Sequence, residues 1–294
     1  MQGGFRFFRF RGVDVYVHWT WFLVAAFIIQ NRTKEYSSPA WNVAEYMAVF
    51  FFVLLHEFGH VFACRQTGGQ ANRIMLWPLG GIAYVNPPQR AGAQLWSIAA
   101  GPLVNVALIF VLKAVAIVFR HEGWNIAHPE AFNFLKNLWL INAGLLLFNL
   151  LPVYPLDGGQ IVRSVLWFWL GKARSLWIAC LLGFAGGLAL GGVAITHGEL
   201  WFGFIASYLL WITWSSFQHA RALLRIEKLP RHDQFRCPRC QARALRGNLW
   251  KCPRCQTEFD LFASGGRCPQ CAFAAEEVPC VECGQASQPA AWSR

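Results

Sequence analysis

Six predominantly apolar runs, near residues 16–30, 46–66, 93–118, 133–152, 174–196 and 200–217, constrain this chain more than any other feature. A helix needs about 17 to 25 such residues to cross a bilayer. Inside hydrocarbon every backbone N–H and C=O must be paired within the protein, which leaves helices or a closed barrel. Runs of this length without strict alternation select helices. The expected fold is therefore mainly α, a polytopic membrane protein with about six transmembrane helices. Only 14% of the residues are charged, against about 25% in soluble domains, so a simple soluble enzyme is excluded. After Leu229-Pro230 the chain turns polar and cysteine-rich, which predicts a membrane domain over 1–229 and a second domain over 230–294.

The basic residues set an expected orientation. Arg6, Arg9 and Arg11 precede the first run, and no small-residue cleavage site follows it, so it reads as an anchor rather than a removed signal peptide. With the N-terminus inside, cytoplasmic segments hold Arg65, Arg73, Arg90, Arg163, Lys172, Arg174, Arg221, Arg225 and Lys228. The opposite face has Arg32, Lys34, Arg120 and Lys136, countered by Glu35, Glu122 and Glu130. The positive-inside rule then places both termini in the cytoplasm, in what we expect to be a prokaryotic cell membrane. The formal charge of +11 treats each cysteine as neutral; two tetrathiolate zinc sites would lower it to about +7. That sign favours contact with an anionic lipid bilayer.

Two segments interrupt the helical pattern. Residues 5–17 alternate, with Val13, Val15 and Val17 on one face, and 74–85 reads as two short strands around Pro78 and Gly80-Gly81. A small sheet or hairpin at the membrane surface is expected.

Ionisable groups inside spans cost about 2.5 to 3.5 kcal/mol even on the lenient insertion scale, so each is a functional hypothesis. The second run carries His56-Glu57-Phe58-Gly59-His60. Residues four apart share a helix face, so both imidazoles can address one metal while Glu57 reaches a water on it; zinc suits this set. Hydrogen-bonded core histidines are the alternative, and they leave Glu57 unexplained. A catalytic zinc needs a third ligand. Of the four aspartates only Asp157 lies between spans, after Asn149-Leu150-Leu151-Pro152-Val153-Tyr154-Pro155-Leu156 and before Gly158-Gly159. Both spans run inward and can bring these groups to one depth. Capping of a following helix is the other reading of Asp157.

Together with Gly101-Pro102-Leu103-Val104-Asn105, these motifs make the region from about residue 8 to 217 resemble the site-2 protease family of intramembrane zinc metalloproteases. The Val17-His18 start of the first span and Leu79-Gly80-Gly81, similar to that family's β-hairpin, extend the likeness. The resemblance implies peptide-bond hydrolysis inside the bilayer, with His56, His60 and Asp157 on a catalytic zinc, Glu57 as general base and Asn149 holding the substrate. The edge at Gly80 and Gly81 can hold an unwound substrate by strand addition. Asn105 either contacts substrate or braces its helix. The chain departs from several branches in lacking a PDZ-like insertion or a paired nucleotide-sensing module, so regulation through such modules is not expected.

The C-terminal region holds Cys237-x-x-Cys240, Cys252-x-x-Cys255, Cys268-x-x-Cys271 and Cys280-x-x-Cys283. Their order resembles tandem zinc ribbons, with the pairing of the four units left open, and predicts two structural zinc ions. Arg236, Arg239, Arg243, Arg246, Lys251 and Arg254 cluster around the first pairs. They would allow contact with nucleic acid or anionic lipid, but no aromatic stacking array accompanies them, so a solvated surface or a docking module for substrate or a protein partner is expected instead. Cys64 and Cys180 read as packing residues. The function expected is cleavage of membrane-anchored proteins in or near their transmembrane segments. The rivals are a catalytically silent membrane scaffold whose ribbons bind a partner, and a zinc peptidase acting on soluble peptides.

Overall fold

Apolar runs two to six become five helices of membrane-crossing length, which a computed structural model describes together with the rest of residues 4–31, 36–77, 80–198 and 200–292. Arg32, Lys34, Glu35, Pro78 and Leu79, used in the sequence reading, lie outside the described residues. The helices are α2 (Pro39–Gln66), α3 (Ala91–His121), α5 (Pro129–Leu150), α6 (Asp157–His197) and α7 (Leu200–Glu227), with a short α4 (Trp124–Ala127) between α3 and α5. Their outer faces are apolar: Phe110 is 65% exposed, Leu147 70% and Trp211 70%. Exposed apolar surface on this scale suits lipid rather than water. Between helices the driving force is close contact, not dehydration. At Gly59 of α2 a Cβ would stand 2.7 Å from the Ala100 carbonyl oxygen of α3, so the absent side chain lets the two backbones meet.

Among the described residues five helices are long and apolar enough to cross a membrane, where the sequence suggested about six, and the first run takes another form. Residues 13–18 form a strand, β2 (Val13–His18), and the helical part among the described residues is Thr20–Asn31 (α1). Twelve residues cover about 18 Å, short of the roughly 30 Å hydrocarbon thickness. Alternation decided this: Val13 and Val15 are fully buried and Val17 nearly so, while the residues between them face away. A continuous helix would have scattered these valines around its circumference.

Both non-helical segments join one four-stranded sheet in the order β1 (Gly4–Phe10), β2, β3 (Gln70–Trp77), β4 (Gly80–Asn86). β2 and β3 pair in parallel, Val15 opposite Ile74, and the other pairs are antiparallel. A parallel pair needs a long crossover, here supplied by α1 and α2. The sheet packs on the motif half of α2 through Val13, Val15, Val17, Ile74 and Leu76 against Phe58, Val61 and Cys64. The turn from α2 into β3 uses Gly68, at φ +83°, and Gly69, where a Cβ would overlap Cys64 Sγ and the Asn86 carbonyl. At its N-terminus α2 starts on Pro39, with Ser38 Oγ accepting from the Ala40 N–H at 3.3 Å. α6 breaks at Gly171 (φ 79°, ψ 173°), so its later part is the expected span at 174–196.

The chain forms two compact units, Met1–Phe217 and Gln218–Arg294. The second carries β5 (Arg231–Arg236), β6 (Arg243–Leu245), β7 (Trp250–Lys251), β8 (Glu258–Phe259), β9 (Val278–Pro279) and β10 (Ala286–Ser287), paired two by two. Each Cys-x-x-Cys sits in the same knuckle. Gln241, Gln256, Ala272 and Gly284 each follow the second cysteine at positive φ and donate to the carbonyl of the first at 2.8–2.9 Å.

Candidate active site

His56, Glu57 and His60 project from one turn of α2 and are at most 8% exposed. The His56 and His60 Nε2 atoms stand 3.1 Å apart. Helix α3 sets both rings from behind. His60 Nδ1 lies 2.9 Å from the Ser97 carbonyl oxygen, which can only accept, so Nδ1 carries the proton. His56 Nδ1 lies 2.9 Å from Asn105 Oδ1 and donates likewise. Asn105 is held in turn by Asn142 of α5, whose Nδ2 donates to the Asn105 carbonyl at 2.9 Å. Ser97 and Asn142 escaped the sequence reading. Their signal was present in principle, as small polar residues within apolar helices, yet many such residues merely satisfy themselves.

Asp157 arrives from a different part of the chain. Helix α5 ends at Leu150, Pro152 and Pro155 keep the linker non-helical, and Asp157 is the first residue of α6, behind Leu156 at the cap position. Gly158 and Gly159 let α6 begin tightly against this linker; a Cβ at Gly158 would overlap the Leu150 carbonyl, and one at Gly159 the Tyr154 backbone. Asp157 Oδ2 thereby reaches His56 Nε2 at 3.0 Å and His60 Nε2 at 3.4 Å.

With both Nδ1 atoms protonated, three lone-pair-bearing atoms converge: two Nε2 and a carboxylate oxygen that has no hydrogen-bond partner although it is buried. Such a cluster is repulsive unless a cation or a proton lies between the atoms. Donors 2.0–2.1 Å from a tetrahedral ion stand about 3.3 Å apart, close to the separations of 3.0, 3.1 and 3.4 Å here. The donor set fits zinc, and three protein ligands would leave a fourth position for water. Gly101 of α3 makes room: a Cβ there would overlap the His60 ring and stand 2.8 Å from His56 Nε2.

The site opens into a cleft of about 390 Å³. Gly80, Gly81, Ile82 and Ala83 of β4 line it, with Asn149 at the end of α5 and Tyr208 on α7. Gly81 abuts Glu57 so closely that a Cβ would stand 2.5 Å from its carboxyl carbon. β4 is an edge strand. The structure thus brings Gly80, Gly81 and Asn149 to the same cleft as the histidines and Asp157, and sets Asn105 against His56.

In the second unit the pairing left open by the sequence is nested rather than sequential. Cys237 and Cys240 meet Cys280 and Cys283, while Cys252 and Cys255 meet Cys268 and Cys271. Sulfur separations of 3.8 and 3.7 Å in the outer set and 3.6 and 3.5 Å in the inner match the roughly 3.7 Å expected around a tetrahedral ion with 2.3 Å bonds. Hydrogen bonding with the Thr257 side chain and backbone draws the Cys255 thiol down to about 6. Burial and the neighbouring thiols push Cys280 up to about 12. Four thiols so close cannot all ionise without a cation among them.

Membrane-length helices folded around a buried histidine–aspartate cluster make this an integral membrane protein whose bundle holds a donor set that could take a metal ion. The chain belongs to peptidase family M50, whose profile matches residues 44–124 and 117–190. It is similar to the zinc metalloprotease MJ0392 of Methanocaldococcus jannaschii, 32% identical over 183 residues that cover 62% of this chain and 51% of the relative. It also resembles the stage IV sporulation protein FB of Bacillus subtilis, 28% identical over 158 residues, 51% of this chain and 46% of that protein. The chain spans about half to three-fifths of the length of the first curated relatives it matches. A solved site-2 protease from Methanocaldococcus jannaschii shares the fold, with a TM-score of 0.54 and 24% identity over 73% of this chain and 95% of that one.

Proposed function

We propose that the chain is an intramembrane zinc metalloprotease that hydrolyses peptide bonds in or near transmembrane segments of membrane-anchored proteins. The observation that carries this reading is the convergence of His56, His60 and Asp157 beside Glu57, in a cleft lined by the edge strand β4, within helices of membrane-crossing length. His56, His60 and Asp157 would hold the catalytic zinc, which when bound would polarise the scissile carbonyl and acidify a water. The Glu57 carboxylate takes the proton of that water and delivers it to the leaving amide nitrogen. Asn105 and the Ser97 carbonyl keep the imidazole Nε2 lone pairs aimed at the metal. A helical substrate keeps its own carbonyls paired and must unwind; Gly80 and Gly81 present a side-chain-free edge where the extended segment can pair, and Asn149 binds its backbone.

The membrane domain of this reading is 1–229. The tandem zinc-ribbon domain, 230–294, holds two structural zinc ions and docks substrate or a partner protein. Both termini face the cytoplasm of a prokaryotic cell. Cysteine labelling from outside intact cells at an introduced Ser287→Cys should fail; efficient labelling there reverses the orientation.

The activity is tested on purified full-length protein with a membrane-spanning peptide, mapping the cut by mass. Cleavage within the apolar segment is expected, and cuts confined to soluble peptides count against it. Asp157→Ala should lower both zinc content and turnover, because the metal loses one of three protein ligands. Wild-type zinc content in that variant removes Asp157 from the ligand set.

A further inference from the structure

The cleft contains more polar side chains than the zinc site employs. Asn105 is engaged by His56, and Gln160 Nε2 donates to the Pro155 carbonyl at 2.9 Å. That leaves Asn149 and Tyr208, which make no hydrogen bond among the described residues although both line the cleft. Tyr208 is 45% exposed and supplies the cleft's one hydroxyl from a described side chain. Its helix is not free to slide. Thr213, fully buried, donates its hydroxyl to the Tyr154 carbonyl at 2.9 Å, and Gly183 leaves the space for that contact, since a Cβ there would stand 2.6 Å from the same oxygen. Tyr154 belongs to the linker that delivers Asp157. The depth of Tyr208 is therefore tied to that of the metal centre.

An extended substrate segment presents N–H and C=O groups on both of its edges, and β4 can pair with only one edge. In a site shielded from bulk water, a carbonyl left unpaired on the other edge is costly. We infer that the Tyr208 hydroxyl donates a hydrogen bond to a main-chain carbonyl of the unwound substrate, making α7 a substrate-binding wall of the cleft. This rests on the peptidase reading above. It assigns Tyr208 to holding the chain, not to proton transfer.

The test uses full-length protein in liposomes and an internally quenched membrane-spanning peptide with an Asn-Gly pair in its apolar segment. Wild type and Glu57→Gln are compared first; equal absence of turnover defeats the peptidase reading itself. In active protein Tyr208→Phe keeps the ring and removes the donor. KM should rise about 2- to 12-fold, the factor for one neutral hydrogen bond, with kcat and zinc content unchanged. An unchanged KM overturns the inference, and so does a fall in kcat alone, which would place the hydroxyl in the transition state. Independently of turnover, p-benzoyl-phenylalanine at position 208 in the Glu57→Gln background should cross-link the peptide, whereas the same group at the neighbouring position 207, which is exposed and outside the cleft lining, should not. Failure at 208, or equal capture at both positions, excludes a substrate contact there.

Discussion

Glu57→Gln is expected to lower peptide hydrolysis by about 100- to 10,000-fold, the range for losing a positioned general base, with zinc content at the wild-type level. The amide keeps the volume and polarity of the carboxyl but cannot accept a proton from water at neutral pH. The environment makes this a clean substitution. Glu57 is 5% exposed and is packed against Gly81, where no side chain can take its place. The ligand atoms stay in position because they are oriented from α3 and from the 152–156 linker rather than by Glu57. Turnover retained in metal-replete variant protein would remove Glu57 from the proton path, and zinc lost together with activity would make it a structural group.

The second large effect concerns metal and folding. Full-length protein should carry three zinc ions by elemental analysis, and a chain truncated after residue 229 should carry one. The two cysteine tetrads are closed four-sulfur shells, whereas the membrane site keeps a position open. The apolar clusters of the second unit are small: beside cysteines they bury only Phe259, Leu261, Val278, Ala244 and Trp292, with Trp250, Phe235, Phe262 and Phe273 partly buried against them. So small a core does not outweigh chain entropy without metal, and structural zinc contributes apparent binding free energies of about 10 to 16 kcal/mol in comparable domains. A strong chelator should therefore unfold this unit while the helices persist, seen as rapid proteolysis confined to residues after about 230. A single zinc in the full chain, or a protease-resistant second unit after chelation, would contradict the assignment.

Much of this was legible in the residues because it is local. Apolar runs two to six announce helices by length alone, and the spacing of His56 and His60 places two imidazoles on one face whatever surrounds them. The Pro and Gly residues around Asp157 mark an irregular segment, and each Cys-x-x-Cys predicts its own knuckle. The first run carries two signals at once. Its hydrophobicity suits a span, but the alternation of Val13, Val15 and Val17 suits a strand, and average hydropathy does not register which residues share a face.

What the tertiary structure alone decided is which distant groups meet. Asn105 could have faced substrate or braced its own helix; the approach of α3 to α2, possible because Gly59 and Gly101 lack side chains, sets it on His56 instead. The cysteine pairs could have closed in sequence; the fold brings the first to the fourth and the second to the third. Nothing near Tyr208 in the chain marks it, and only the bond from Thr213 to the Tyr154 carbonyl relates its helix to the linker that carries Asp157. Periodicity and motif spacing are properties of a few consecutive residues, whereas these contacts join segments 13 to 59 residues apart and depend on how closely helices and knuckles can approach.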